Sequence, residues 1–365
     1  MLAKKTVAVA MSGGVDSSLA ALLLKQQGFA VFGVTMKLWE FDDVGATKPS
    51  ELKCCSVELI NTARSVCDQF DIPHHTLDMT SSFKECVISN FIKEYQSGRT
   101  PNPCVVCNTK IKWDVLIKKV TAMGADYLAT GHYARIEYNS KFHRHALRKG
   151  LDQKRDQSYF LWGLQQADLK RTIFPLGQIT KRRTRELAKQ CGLRNSDAPE
   201  SREICFIHDD DYRRFMKEIA EGPDQPGDFI DENGKIVGQH DGVSMYTVGQ
   251  RKGLGIALGY PAYVRAIDVK NNVIHLGHEE DLKSRKFLVE QLNWITIPKP
   301  SVPIECMVKI RYGAKPVPGV ISPFGEGVYV VELKEPLKAI TPGQSAVFYS
   351  QDFVYAGGII CSTKD

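Results

Sequence analysis

A short apolar run that meets two glycines and then a helical pattern has few ways to fold. Thr6-Val7-Ala8-Val9-Ala10 reads as a strand buried on both faces. Met11-Ser12-Gly13-Gly14-Val15-Asp16-Ser17-Ser18 follows it. Leu19, Leu22 and Leu23 then recur at helical spacing as far as Gln27, with Gly28 in the C-cap position. Gly13 and Gly14 let the backbone approach a ligand without a Cβ in the way. The loop opens a helix, whose unpaired N–H groups and positive dipole end attract anions. Ser12, Ser17 and Ser18 add hydroxyls. The stretch is a phosphate cradle that lacks both the Gly-Lys-Ser/Thr of a Walker loop and the G-x-G-x-x-G of a dinucleotide site. A plain strand–turn–helix corner is the competing reading, and the full string in its context outweighs it.

The string SGGVDSS resembles the pyrophosphate loop of the ATP pyrophosphatases, which split ATP into AMP and pyrophosphate. The chain beyond it alternates. Ala30 to Met36 reads as a second buried strand, Lys53 to Phe70 as a helix, His74 to Asp78 as a third strand and Ser81 to Tyr95 as another helix. This alternation predicts an α/β fold with a doubly wound, mostly parallel sheet, with ligands at the carboxyl ends of its strands. Tyr127 to Tyr133 reads as a later strand reaching the same edge, Ile136 to Lys149 as a hairpin, and Gln157 to Leu164 and Thr180 to Cys191 as helices. Tyr212 to Ala220 adds one more helix, after which glycine and turn residues multiply. The Asn233-Gly234 pair marks a hairpin. From Lys286 onward short alternating strands predict a small β-barrel. The expected domains are 1–207 (catalytic α/β), 208–282 (small α+β linker) and 283–365 (β-barrel).

A chain of 365 residues can hold two or three cores. No apolar stretch is long enough to span a bilayer, and the first strand starts so early that a cytoplasmic location is expected. The net charge of +6 is compatible with a polyanionic partner. Ten cysteines beside a nucleotide loop read as catalytic, metal-binding or core residues, not as a disulfide framework. Cys54, Cys55, Cys67, Cys86 and Cys191 fall on or beside helical patterns and are expected to pack.

Two cysteine stretches remain. In Gly98-Arg99-Thr100-Pro101-Asn102-Pro103-Cys104-Val105-Val106-Cys107-Asn108, the prolines set an extended loop and a helix is predicted near Asn108. Cys107 at such a helix start, with Lys110 and Lys112 nearby, predicts a lowered thiol pKa. Cys205 lies in the apolar stretch Ile204-Cys205-Phe206-Ile207.

Together these strings resemble the tRNA-specific 2-thiouridylases over essentially the whole chain. The resemblance is carried by AMSGGVDSS (10–18), GRTPNPCVVCN (98–108), ATGHYARI (129–136), RDQSYFLWGL (155–164), SREICFI (201–207), YTVGQRKGLGI (246–256) and TPGQSAVFY (341–349). It implies a PP-loop ATPase of the adenine nucleotide alpha hydrolase-like kind, which uses ATP to adenylate the C2 oxygen of the wobble uridine and then replaces that oxygen with sulfur. By the same resemblance Cys107 is the nucleophile and Cys205 carries the persulfide. ATP is implied at Ala10, Met11, Ser12, Gly13, Gly14, Val15, Asp16 and Ser17, and at Met36 and Gly131, with Asp16 near a Mg²⁺ ion. The target uridine is implied at Asn102, Pro103 and Cys104. The rest of the tRNA is implied at His132, Arg155, Asp156, Gln157, Arg311, Tyr312 and Gln344. Glutamate, lysine and glutamine tRNAs are the implied substrates, and a sulfur-relay protein or cysteine desulfurase the implied donor.

Many members of that family carry an acidic residue where this chain has Cys104. Cys104, Cys107 and Cys205 therefore form an alternative ligand set for a 4Fe–4S cluster that would present the sulfur. Arg202 also differs from some relatives and has no assigned role. A small-molecule amide-forming ATP pyrophosphatase and a nucleotide-sensing RNA-binding protein without turnover are the rival readings. Neither has a use for Cys107 together with Cys205.

Overall fold

The computed structural model describes residues 4–40, 57–197, 204–207, 209–220 and 224–364. Cys54, Cys55, Arg202 and the start of the helix expected from Lys53 lie outside the described residues. The chain forms two compact units, one of residues 1–87, 104–211 and 352–354, the other of 88–103, 212–351 and 355–365.

The first unit is the α/β body. Its elements begin with β1 (Thr6–Ala10), α1 (Val15–Gln26), β2 (Ala30–Lys37), α2 (Val57–Gln69), β3 (His74–Asp78) and α3 (Thr80–Phe83). A helical run follows directly, of π type over Lys84–Ile88 and then α4 (Ser89–Gln96), so the helix expected from Ser81 to Tyr95 is one run of mixed pitch. The first unit resumes with α5 (Pro103–Val106), the π-helix Cys107–Leu116 and α6 (Ile117–Ala122). Then come β4 (Tyr127–Ala129), β5 (Ala134–Asn139), β6 (Arg144–Lys149), α7 (Gln166–Lys170), β7 (Thr172–Ile173) and α8 (Lys181–Gln190). The helix expected over Gln157 to Leu164 is only a 3₁₀ turn, Ser158–Leu161.

Five strands make the expected parallel sheet in the order β3-β2-β1-β4-β7. β1 is central and four of its five residues are buried, which is why its sequence is continuously apolar and does not alternate. β3 is an edge strand, and its residues are exposed or half-buried. Val7 and Val9 of β1 pack with Leu19, Ala20 and Leu24 of α1, Ala63 and Val66 of α2 and Ala188 of α8 in one core. β5 and β6 form the expected hairpin, and Arg135 and Arg148 from it both bind Asp352.

The second unit begins its later part with α9 (Tyr212–Ile219). Aromatic rings lock α4 to α9: Tyr95 stacks on Tyr212 at 4.7 Å and Phe91 meets Phe215 edge-on at 5.8 Å. Next come β8 (Gly227–Ile230), β9 (Ile236–His240), β10 (Tyr263–Asp268) and β11 (Val273–Gly277), in a sheet of order β10-β11-β8-β9. The β8–β9 pair is the hairpin expected from Asn233-Gly234. Finally β12 (Lys283–Trp294), β13 (Ile304–Lys309), β14 (Val317–Gly325), β15 (Val328–Lys338), β16 (Ser345–Ser350) and β17 (Phe353–Lys364) run in the order β12-β15-β14-β13-β16-β17. β12 also pairs with β17, so the strands close into a six-stranded barrel, as expected. Phe287, Phe348 and Tyr349 are fully buried in it.

Candidate active site

In the order β3-β2-β1-β4-β7 the chain winds one way from β1 through β2 and the other way through β4. The carboxyl ends of β1 and β4 flank the crevice that such a reversal opens. The glycine loop leaves β1 there, and Thr130-Gly131-His132-Tyr133 leaves β4 beside it. The topology therefore sets where the cradle lies, and the loop's own residues set its shape.

Within the loop, Met11 N–H still donates to Val34 O of β2 at 2.8 Å, which fixes where the strand ends. Gly13 then turns with φ +76°, and a Cβ there would lie 2.6 Å from Leu59 O, so glycine is required on both counts. Gly14 is the N-cap of α1 and its carbonyl accepts from the Ser17 and Ser18 hydroxyls at 3.1 and 3.0 Å. Gly131 approaches so closely that a Cβ would sit 2.9 Å from Ser17 N and from Asp16 C. Asn195 closes the loop from the far side, donating to Gly13 O at 2.7 Å and to Ser18 Oγ at 2.9 Å. Met36 lies near the end of β2 and is half-buried. The result is a fixed backbone with Ser12 exposed at its tip.

The carboxylate of Asp16 is heavily engaged. Lys181 Nζ lies 2.7 Å from each of its oxygens, and the Tyr133 hydroxyl donates to it at 2.9 Å. Tyr133 is itself clamped by Gln157. Its N–H donates to Gln157 Oε1 and its carbonyl accepts from Gln157 N–H, both at 2.9 Å. Neither Lys181, Tyr133 nor Asn195 figures in the sequence-based site. Lys181 opens the cationic run Lys181-Arg182-Arg183 at the start of α8, and nothing in that run by itself points to the loop.

The thiol segment departs from expectation in two ways. The helix begins at Pro103, not near Asn108, so Cys107 sits one turn in, where α5 gives way to a π-helix. It has no terminal N–H groups to face. Burial pushes its thiol above the ordinary value of 9.0, and Lys112 only partly offsets this. The predicted lowering of its pKa is therefore wrong, because desolvation outweighs a dipole end that is not there. Lys110 acts instead on Cys86. The same Lys112 charge also reaches His132, which leans against Trp113 and Phe174 at 5.9 and 5.8 Å and has Thr130 Oγ1 2.7 Å from Nδ1. Burial holds His132 well below its ordinary value, so at neutral pH it is an uncharged donor or acceptor. Cys107, Lys112 and His132 thus share one neighbourhood in the first unit.

Cys205 lies in a half-buried turn and Cys104 is exposed. Among the described residues no three His, Cys, Asp or Glu side chains are gathered as metal ligands, and Cys104, Cys107 and Cys205 are no exception. Cys67 is fully buried, with its thiol pushed up to about 11, which fits the packing role expected of it.

The remaining positions divide by chemistry. Asp156 is buried and its carboxylate accepts from Gly150 N–H, Ser158 N–H and the Ser158 hydroxyl at 3.0–3.1 Å, so it is occupied inside the protein. Arg155 beside it is half-exposed. In the second unit, Gln344 Nε2 donates to Thr100 O at 3.1 Å and Pro101 O at 2.9 Å. This pins the loop that carries Asn102 and Pro103. Arg311 and Tyr312 stand exposed on the loop between β13 and β14, with Lys309 5.2 Å from the Tyr312 ring.

Comparison with known proteins identifies the domains. Residues 5–209 match the family described as tRNA methyl transferase HUP domain. Residues 213–278 match its PRC-barrel domain and 284–360 the aminomethyltransferase beta-barrel domain. A protein of Heliobacterium modesticaldum named tRNA-specific 2-thiouridylase MnmA is 48% identical over 99% of this chain and 94% of its own length. Its namesakes in Desulforamulus reducens and Acetivibrio thermocellus are 44% and 45% identical, covering 100% and 98% of this chain and 99% and 100% of theirs. The chain belongs to the tRNA-specific 2-thiouridylase family. Its α/β body is a HUP domain, followed by a PRC-barrel and a closed β-barrel. Among the described residues no helix is long and apolar enough to cross a membrane.

Proposed function

We propose that this chain is an ATP-dependent tRNA-uridine 2-sulfurtransferase that replaces the C2 oxygen of the wobble uridine, U34, with sulfur in the cytoplasm. One observation carries the reading: a preformed anion cradle and the Cys107–Lys112–His132 group occupy the same α/β unit. A carbonyl oxygen is a poor leaving group, so ATP must first convert it to an AMP ester. The loop from Ala10 to Ser17, with Gly131 against it, would hold the phosphates, and Met36 lies near the end of the neighbouring strand. Asp16 is the one carboxylate in the loop and would ligate Mg²⁺, whose charge would neutralise part of the triphosphate.

Sulfur would then arrive as a persulfide on Cys205. Cys107 attacks the Cys205 sulfur, forms a disulfide and releases the terminal sulfur to the activated C2 carbon; AMP leaves. The positive Lys112 acts on both Cys107 and His132, and neutral His132 would offer the tRNA an uncharged contact. Asn102, Pro103 and Cys104 would meet the target base. Arg155, Gln157, Arg311, Tyr312 and Gln344 would serve the tRNA, and buried Asp156 would act by shaping its loop. Glutamate, lysine and glutamine tRNAs are the proposed substrates, and a sulfur-relay protein or cysteine desulfurase the proposed donor. A 4Fe–4S cluster on Cys104, Cys107 and Cys205 is the alternative way of presenting the sulfur, and it would need these three thiolates drawn together.

Incubation with ATP, a persulfide donor and unmodified tRNA, followed by nucleoside analysis, tests the reading. 2-Thiouridine with AMP and pyrophosphate is expected. ADP and phosphate, or a methylated base, would overturn it. Iron-dependent activity would replace the persulfide route by the cluster.

A further inference from the structure

Three cations open α8. Lys181, Arg182 and Arg183 follow the Thr180 cap, although a helix N-terminus repels positive charge. Two of them are answered locally, since Arg182 and Arg183 reach Glu186 at 3.7 and 3.3 Å. Lys181 turns the other way. It is only 8% exposed, and its ammonium is carried back across 165 residues of sequence to both oxygens of Asp16. Tyr133 braces the same carboxylate and links it to Thr184 of α8 at 2.8 Å. Lys181 N–H donates to Asp152 at 2.9 Å, which answers the dipole end locally and leaves the ammonium to the loop.

A buried ion pair contributes little net stability, because desolvation offsets most of the attraction. This one sits at the mouth of an anion cradle whose own sequence lacks a lysine. We propose that Lys181 is the phosphate-binding lysine of this enzyme: its ammonium takes the β- and γ-phosphates of ATP, and Asp16 holds it in readiness. The proposal rests on the reading of the glycine loop as the ATP site. In the adenylation step the C2 oxygen of the base bonds to the α-phosphorus. The bond from that phosphorus to the bridging oxygen breaks, its electron pair leaves with pyrophosphate, and the base gives up its N3 proton. Charge builds on the departing pyrophosphate, and a fixed ammonium beside it lowers the barrier. As the ammonium turns to the phosphates, it frees Asp16 for the hydrated Mg²⁺ that accompanies ATP.

Equilibrium binding of MgATP and of AMP to the full chain separates the alternatives, because AMP lacks the phosphates that Lys181 would touch. In Lys181→Met the dissociation constant for MgATP should rise about 100-fold. That for AMP should stay within about twofold. Lys181→Gln, which keeps a donor to Asp16 but no charge, should behave likewise, and Lys181→Arg should regain most of the lost affinity. ATP–pyrophosphate exchange with tRNA present should follow the same order. Unchanged MgATP binding in Lys181→Met and Lys181→Gln overturns the proposal, and so does an equal loss for ATP and AMP, which would mark a merely structural pair. Failure of the parent chain to bind MgATP overturns the reading of the loop, and the proposal with it.

Discussion

The glycine loop and the thiol segment belong to the same α/β unit but are prepared to very different degrees. Around the loop, residues from the ends of β1 and β4, from α1 and α8, and from Asn195 converge through bonds of 2.7–3.2 Å. Around the thiols, Cys107 is held inside a helix, Cys104 faces solvent and Cys205 lies in a turn. The difference fits the chemistry proposed for each. Binding a polyanion rewards donors fixed in advance, since they need no reorganisation when the ligand arrives. Passing sulfur between two cysteines rewards segments that approach and part, because a disulfide brings Cα atoms to roughly 4.4–6.8 Å.

The comparison breaks most visibly at the thiols. Cys107→Ser and Cys205→Ser should each lower tRNA thiolation by roughly 1,000-fold or more, because a hydroxyl neither attacks nor stores a persulfide. MgATP affinity should be untouched in both, by calorimetry. Loss of ATP binding in either variant would show that the two regions are one built site after all.

The converse test puts a side chain into the cradle. Gly131→Val places its Cβ about 2.9 Å from the backbone of Asp16 and Ser17, which must shift. MgATP affinity should fall roughly 30-fold, as misplacement of a preorganised site does. Alkylation of Cys107 should proceed at the parent rate. A variant that binds ATP normally would mean that the end of β4 does not border the nucleotide.

The two regions also differed in how much their sequences revealed. The loop was legible because strand, glycines, serines and helix are all local, and Gly13 stands where only its φ and its contact with Leu59 allow. What completes it was not legible, since Lys181 and Asn195 come from far along the chain and only the sheet order brings them near. The thiol segment misled for a physical reason. Prolines at 101 and 103 suggested an extended loop, but Pro103 takes the first position of a helix, where its missing N–H costs nothing. The π pitch that starts at Cys107 has no signature in residue type. The barrel, by contrast, announced itself through alternation, while its strand order and the pairing of β12 with β17 had to await the structure.

A smaller effect concerns pH. Burial raises the Cys107 thiol above 9.0, so its thiolate fraction at neutral pH is below that of an ordinary cysteine. Iodoacetamide alkylation of Cys107, followed by mass spectrometry, should therefore keep accelerating as pH rises through 9. Levelling off between pH 7 and 8 would mean that the helix and Lys112 win over burial. His132 runs with the opposite sign. Its depressed pKa leaves it neutral throughout this range, so it should add no step to the profile.

The smallest expected effect tests the second unit alone. Gln344 spends its amide on the carbonyls of Thr100 and Pro101, and Thr100 N–H in turn donates to Pro342 O at 2.8 Å. These bonds hold the loop on which Asn102 and Pro103 sit, so on the proposed reading Gln344 would act on the base through that loop. Gln344→Ala removes two hydrogen bonds to half-buried carbonyls, worth about 1 kcal/mol each at most once water replaces them. The KM for tRNA should rise about fivefold to tenfold, with KM for ATP unchanged, because the cradle lies in the other unit. Gln344→Glu should do no better, since a carboxylate cannot donate to either carbonyl. If Gln344→Ala leaves tRNA binding intact, the loop holds itself and Gln344 has no part in placing the base. If it disturbs ATP as strongly as tRNA, the contrast between the prepared cradle and the segments proposed to meet the tRNA has to be given up.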